Sequence, residues 1–339
     1  MKKLISTLLV LSGIMLSFNG FAQAFTISGK WERAEKSPRL MLFEVVNGSM
    51  KFADTARIQS DRSFTFNYTP TKEGFFVVGT GQTTIKMGSY TFYMKPGDAL
   101  NLVVNDSTYT LVGENTKENL AMEDWNRLVY PLERHWVYPE GVTFVEFFPL
   151  VEDVAAKTNA YSPVPTGNTL FDADFAKYRK FDVMNDALMF LQKPAKVHPK
   201  VEDFTNYYKS LKTKDVLANS DMLVYPYSML FVKFVLTYEN KINGKEGAVT
   251  EDDLIELAAD DVKCDLVVAQ VLSKINEEWR LEAFEAKYGK YFVTEAQKQR
   301  YESEKERIAR RTKAQRIGEP GLAFTYKDVN GNDVSFSDF

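Results

Sequence analysis

Few side chains in this sequence stand where their type and spacing could do chemistry, and the first is a thiol. Thiol-disulfide exchange needs a thiolate to attack a disulfide, and a second cysteine to resolve the mixed disulfide that forms. Cys264 is the one cysteine in 339 residues, so there is no CxxC pair and no internal disulfide. With Val267, Val268 and Val271 it falls on one helical face, which predicts burial, and Asp261 and Asp265 would oppose its ionisation. The two histidines, His135 and His198, are too few and too far apart for a zinc site, and HExxH is absent. Asp328-x-Asn330-x-Asn332 imitates the first ligands of a calcium loop, but its sixth position is Asp333 in place of glycine and its twelfth is Phe339 in place of glutamate. GTGQTT at 79–84 lacks the third glycine and the lysine of a phosphate cradle and reads as a β-turn. No GxSxG nucleophile elbow occurs. Asp172/Asp174 and Asp252/Asp253 could serve glycoside hydrolysis only if the fold set their separation, and they read as helix caps or solvated faces. Tyr207, Tyr208, Tyr225, Tyr227 and Trp279 could line a ligand groove, although such residues more often fill a core. The chain is therefore expected to hold no catalytic, cofactor-binding or metal-ligating residue and no cofactor.

The elements around these residues fall into zones. Positions 25–113 alternate with a period of two: Phe64, Phe66 and Tyr68; Tyr90, Phe92 and Met94; Leu100, Leu102 and Val104. Turns at Asn47-Gly48, 61–63, 72–74, 79–81 and 95–98 punctuate the segment, which predicts an antiparallel β-sandwich of roughly seven strands. From 114 to 316 the period becomes helical. Asn115 with Glu118 marks a helix start, and Trp125, Leu128, Val129 and Leu132 recur on one face until Pro131 should kink or end the helix. After Thr250, Leu254, Leu257 and Ala258 repeat the pattern. Residues 220–239 read as a helix buried on most sides. Thr294 with Gln297 is a capping box opening a charged connector helix toward Gln315, with Glu302/Lys305, Glu304/Arg307 and Glu306/Arg310 at neighbour spacing. The fold class expected is α+β: a sandwich, a mainly helical region and a short terminal hairpin.

Composition sets the setting. Hydrophobic residues at 45%, aromatics at 14% and charged residues at 26% describe an ordinary folded chain, and a net charge of -4 lacks the footprint of a nucleic-acid binder. Lys2 and Lys3, the apolar run Leu4 to Phe18 and Ala22-Gln23-Ala24 form a cleavable secretion signal over 1–24. The run is short of the roughly 20 apolar residues of a bilayer span, and no cysteine stands at the cleavage site to accept a lipid. The mature chain would carry 40 basic and 46 acidic residues in the periplasm.

Residues 317–339 read IGEPGLAFTYKDVNGNDVSFSDF. Gly318, Pro320 and Gly321 break the preceding helix; a short strand, the Asn330-Gly331 turn and a return strand with Val334 and Phe336 follow. The order Gly318-x-Pro320, Phe324, Asp328-x-Asn330-Gly331 and Val334 to Phe339 resembles the opening of the thioredoxin-like domain of the TlpA and ResA thiol-disulfide oxidoreductases. The exported β-domain and helices before it are more loosely similar to the N-terminal extension fused to such redoxins. The resemblance implies that a core strand and a Trp-Cys-x-x-Cys site come next in the family, that 317–339 is an incomplete leading hairpin, and that the rest is a non-catalytic portion positioning the redox domain or its partner. A self-contained module for a protein, peptide or glycan partner in the cell envelope is the alternative. The sequence contains no feature that fixes an oligomeric state.

Overall fold

The computed structural model describes residues 23–34, 38–81, 86, 88–137, 142–217, 220–245, 247–258, 260–315, 325–328 and 332–335. The expected secretion signal, apart from Gln23 and Ala24, lies outside them. The fold is α+β. Among the described residues eight strands form the N-terminal part: β1 (Phe25–Trp31), β2 (Arg39–Val46), β3 (Ser49–Arg57), β4 (Ser63–Tyr68), β5 (Gly74–Gly79), β6 (Ser89–Met94), β7 (Ala99–Val104) and β8 (Tyr109–Leu111). They make two four-stranded sheets, ordered β4-β1-β7-β8 and β3-β2-β5-β6. Every pairing is antiparallel except β1 with β7, which run parallel with Ile27 beside Leu100.

Alternation explains the first sheet. Phe25 and Ile27, Phe64 and Phe66, and Leu100, Leu102 and Val104 all point into one apolar layer, where Leu40, Leu42, Phe76 and Phe92 meet them from the second sheet. Alternation fails on β5 and β6, GFFVVG and SYTFYM, because nearly every residue there is buried. Phe76, Val78, Phe92 and Met94 face the sandwich core, while Phe75 and Tyr93 face a second core made with the helices. The β3-β2-β5-β6 sheet is thus the middle of three layers, and a strand buried on both faces has no polar side to show.

Among the described residues eleven helices follow: α1 (Lys117–Val137), α2 (Phe144–Ala160), α3 (Thr169–Gln192), α4 (Asn206–Lys209), α5 (Thr213–Leu217), α6 (Ser228–Ile242), α7 (Glu251–Leu257), α8 (Asp260–Val262), α9 (Ala269–Ser273), α10 (Glu278–Tyr288) and α11 (Glu295–Gln315). Helix α1 opens one residue later than Asn115 suggests, since Thr116 Oγ1 accepts the Asn119 N–H at 3.3 Å. Asn115 serves the sheet instead, accepting the Asn101 N–H at 2.9 Å. Asn119 does the same for the edge strand β6: its Oδ1 accepts the Tyr93 N–H at 2.9 Å and its Nδ2 donates to the Tyr93 carbonyl at 2.7 Å. One amide side chain thereby replaces a neighbouring strand and closes an edge that the helix covers. Helix α1 runs through Pro131, because Met122, Trp125, Val129 and Leu132 are all buried against the sheet and helices; that burial outweighs the roughly 3 kcal/mol a proline costs inside a helix.

The helix expected over 220–239 is broken. Ser220–Val224 form a 3-10 turn, Tyr225-Pro226-Tyr227 follow, and α6 begins at Ser228, since proline disfavours the helical conformation of the residue before it. The helical segment enclosed on all sides is the second half of α3, where every residue from Phe181 to Leu191 is buried. The charged helix α11 has its capping box, Gln297 Oε1 accepting from Thr294 N–H at 2.9 Å and Thr294 Oγ1 from Gln297 N–H at 3.2 Å. It is more than a solvated connector: Tyr301 and Ile308 are buried, and Arg307 Nη2 donates to the Ile275 carbonyl at 2.9 Å. Two of the three expected ion pairs are made, Glu302–Lys305 at 3.1 Å and Glu304–Arg307 at 2.6 Å.

At the C-terminal end β9 (Thr325–Lys327) and β10 (Asp333–Ser335) form an antiparallel hairpin. A two-residue turn on Asn330-Gly331 would set Lys327 opposite Val334, yet Lys327 pairs with Asp333. The Asp328 carboxylate accounts for the one-residue shift: its Oδ1 accepts the Asn332 N–H at 2.9 Å, closing the strands one step earlier. Residues 329–331 and Phe336 lie outside the described residues.

Candidate functional site

The residues that sequence reasoning weighed are dispersed. Cys264 is 1% exposed in a π-helical turn, Lys263–Val268; burial, with Asp265 adding repulsion against the weaker pull of Arg300, pushes its thiol up to about 12. His135 is half-buried with Nδ1 2.6 Å from the Pro131 carbonyl, and His198 is exposed. Asp172 accepts from Thr166, Asp174 pairs with Lys177, Asp253 caps α7 through Thr250, and Asp252 holds Lys287 at 2.6 Å and the Tyr288 hydroxyl at 2.8 Å. Tyr208, Tyr225 and Tyr227 are core residues, Tyr207 is half-buried and Trp279 is exposed. Of the GTGQTT stretch, Gly79 to Gly81 are described: Gly79 ends β5, and Thr80 and Gly81 bend away from it. Among the described residues no cluster of three or more His, Cys, Asp or Glu is arranged to hold a metal, and no helix is long and apolar enough to cross a membrane.

One cluster of charge was not anticipated. Lys86, between β5 and β6 in sequence, reaches α3, where its Nζ lies 2.8 Å from Asp182 Oδ1 and 2.9 Å from Asp186 Oδ2. Asp182 also accepts from Trp125 Nε1 at 2.8 Å and the Tyr225 hydroxyl at 3.0 Å. Burial would push the Lys86 pKa down, but Asp182, Asp186 and Glu133 overcome it and hold the ammonium well above its ordinary value. Glu133 of α1 feels the opposite balance: burial, together with Asp186 and Asp182, outweighs Lys86 and Arg33 and pushes its carboxyl to about 8. Burial likewise raises Asp186, in spite of Lys86. Burial thus favours the protonated form of Glu133 near neutral pH, and Lys86 makes its two ion-pair contacts with Asp182 and Asp186. Lys86, Glu133, Asp182 and Tyr109 line a cavity of ≈ 10 Å³, and the Tyr109 hydroxyl there has no hydrogen-bond partner. A space of that size is on the scale of one water. The cluster has charged groups but no room for a substrate, and it ties Lys86 and, through Trp125, α1 to α3.

Open space lies elsewhere, where the β2–β3 hairpin meets the helices. Its tip is a tight turn with Asn47 at φ 49° and Gly48 at φ 71°, both left-handed as such a turn requires. A Cβ on Gly48 would stand 2.8 Å from the Ser228 Cβ, so glycine lets the tip abut the start of α6. A bulge between Leu42 and Phe43 brings Phe43 opposite Phe52, and their rings meet edge to face at 6.3 Å. Phe43, Met50, Phe52, Met229, Leu230 and Lys233 are among the residues lining a groove of ≈ 450 Å³, whose charged side chains are Lys233 and Lys274. Ser49, Met50 and Gln270 also line a second groove of ≈ 650 Å³ that continues toward α11, past Gln299, Arg300 and Ser303. Phe52, on the edge strand β3, is 54% exposed.

No family model matches the chain, and no curated protein is matched by it. The site is therefore read from its own geometry.

Proposed function

We propose that residues 25–315 are the non-catalytic platform of an exported, periplasmic thiol-disulfide oxidoreductase of the TlpA/ResA kind, and that the platform positions the redox module or its partner. The observation that carries this reading is the sequence pattern Gly318-x-Pro320, Phe324, Asp328-x-Asn330-Gly331 and Val334 to Phe339, with β9 paired to β10 within it. Two further features support it. Helix α11, which leads toward the hairpin, is anchored by Tyr301, Ile308 and Arg307, as a positioning device requires. Cys264 is buried and resists ionisation, which suits a portion that leaves thiol chemistry to another module.

The test is insulin reduction by two proteins, this chain and the same chain extended through its reading frame. The platform reading expects a strand and a Trp-Cys-x-x-Cys motif in the extension, with activity confined to the longer protein. An extension without a cysteine pair would overturn it. The groove beside Phe52 favours a second reading, a self-contained exported module that binds a protein, peptide or glycan; inactivity of both proteins leaves that reading in place.

A further inference from the structure

We propose that the continuous groove between the β2–β3 hairpin and helices α6, α9 and α11 binds an extended acidic segment of a partner protein. An aromatic or aliphatic side chain of that segment would sit on Phe52 and Leu230, and its carboxylates would meet Lys233 and Lys274. The inference deepens the platform reading by giving the partner a chemistry, but it stands on the groove alone.

Charge carries the choice of an anion. The apolar half of the groove is lined by two lysines and no carboxylate. Lys233 makes no ion-pair contact among the described residues, and it shares with Lys274 the charge of one half-exposed carboxylate, Glu251, which lies 3.4 Å from Lys274. The carboxylates nearer α11 are already engaged: Asp265 with Arg300 at 3.5 Å and Glu304 with Arg307 at 2.6 Å. The unbalanced charge of the groove is therefore positive, and it stands beside exposed aromatic surface.

The second half decides between a peptide and a lipid. A fatty carboxylate would be satisfied by an apolar trough ending in a cation. Here the trough continues past a mixed lining, with Val46 and Leu272 beside Ser49, Gln270, Gln299 and Ser303; an extended peptide can use the polar side chains as well as the apolar ones, whereas an alkyl chain can use only the latter. The combined space exceeds what one small ligand needs, and β3 at its rim is a sheet edge hydrogen-bonded to β2 alone. Phe52 is the natural anchor point, since interface energy concentrates on aromatic contacts with a polar rim.

The experiment is selection of random displayed dodecapeptides on the full chain, with the Phe52→Ser/Lys233→Glu double variant as the counter-target. Both side chains are exposed, so thermal unfolding of the variant should match the parent. The expected result is enrichment of peptides that combine apolar with acidic residues, and a synthetic copy that binds at least about tenfold more weakly to either single variant. Raised salt should weaken it further. Three results would overturn the proposal: no enrichment over the double variant, enriched peptides without acidic residues, or saturable dodecanoate binding at Phe52 with no peptide enriched. None of these outcomes bears on insulin reduction, so the groove and the redox reading fail separately.

Discussion

Replacing Lys86 by methionine removes one cation from a site that holds three carboxyl groups. The side chains of Lys86, Asp182 and Asp186 are 7%, 1% and 0% exposed and their contacts are 2.8 and 2.9 Å, so solvent screens little of the interaction. Removing one partner of a buried pair costs about 3–5 kcal/mol, mostly because the other charge is stranded. Here two aspartates are stranded together, which places the loss near the upper end of that range at pH 8. In the variant Asp186, which burial raises even beside Lys86, relieves the strain by taking up a proton, and this fixes the sign with pH. A carboxyl raised above its unfolded value stabilises the fold fully below the unfolded value and loses that contribution as pH rises through the folded one. The deficit should therefore shrink toward pH 5 and grow toward pH 8. Urea titrations of both proteins at the two pH values measure it, and Lys86→Met/Asp182→Asn/Asp186→Asn should recover part of the loss at pH 8. A deficit below about 1 kcal/mol that is constant with pH would refute the reasoning, because the cluster would then be solvated.

Three other outcomes follow from the same geometry. With Glu133 raised from 4.5 to about 8, the parent should lose stability across that window, and Glu133→Gln should flatten the profile; the limit is about 5 kcal/mol if nothing else titrates, read from urea midpoints at successive pH values. Asn119→Ala strands the Tyr93 N–H and carbonyl beneath α1 and should cost about 2–4 kcal/mol, with hydrogen exchange in β6 accelerating more than in β1. Cys264 should react with iodoacetamide at pH 8 only as fast as the region opens, so that denaturant accelerates labelling; prompt reaction in the folded protein would contradict its burial.

How much of this the sequence discloses depends on how local the cause is. The sandwich strands with one wet face were legible because Phe64, Phe66 and Leu100, Leu102 alternate; β5 and β6 were legible only as apolar runs, since packing on both faces removes the period. The capping box at Thr294 and Gln297 involves neighbours and was readable. The hairpin register was missed by one residue, because a carboxylate from Asp328 rather than the Asn-Gly pair alone sets the closure. The buried cluster was invisible, its partners lying 100 positions apart in Lys86 and Asp186; the available signal was charge within the apolar run of α3, FDVMNDALMFL. The groove had no sequence signature at all, since Phe52 and Lys233 become neighbours only when the hairpin tip meets α6.

The most direct measurement of the central claim is steady-state insulin reduction by this chain, with dithiothreitol as electron donor and Cys264→Ser in parallel. The account predicts that both proteins leave the uncatalysed rate unchanged. Turnover by the parent that disappears in Cys264→Ser would contradict it, because a single buried thiol would then be doing the chemistry assigned to a separate module.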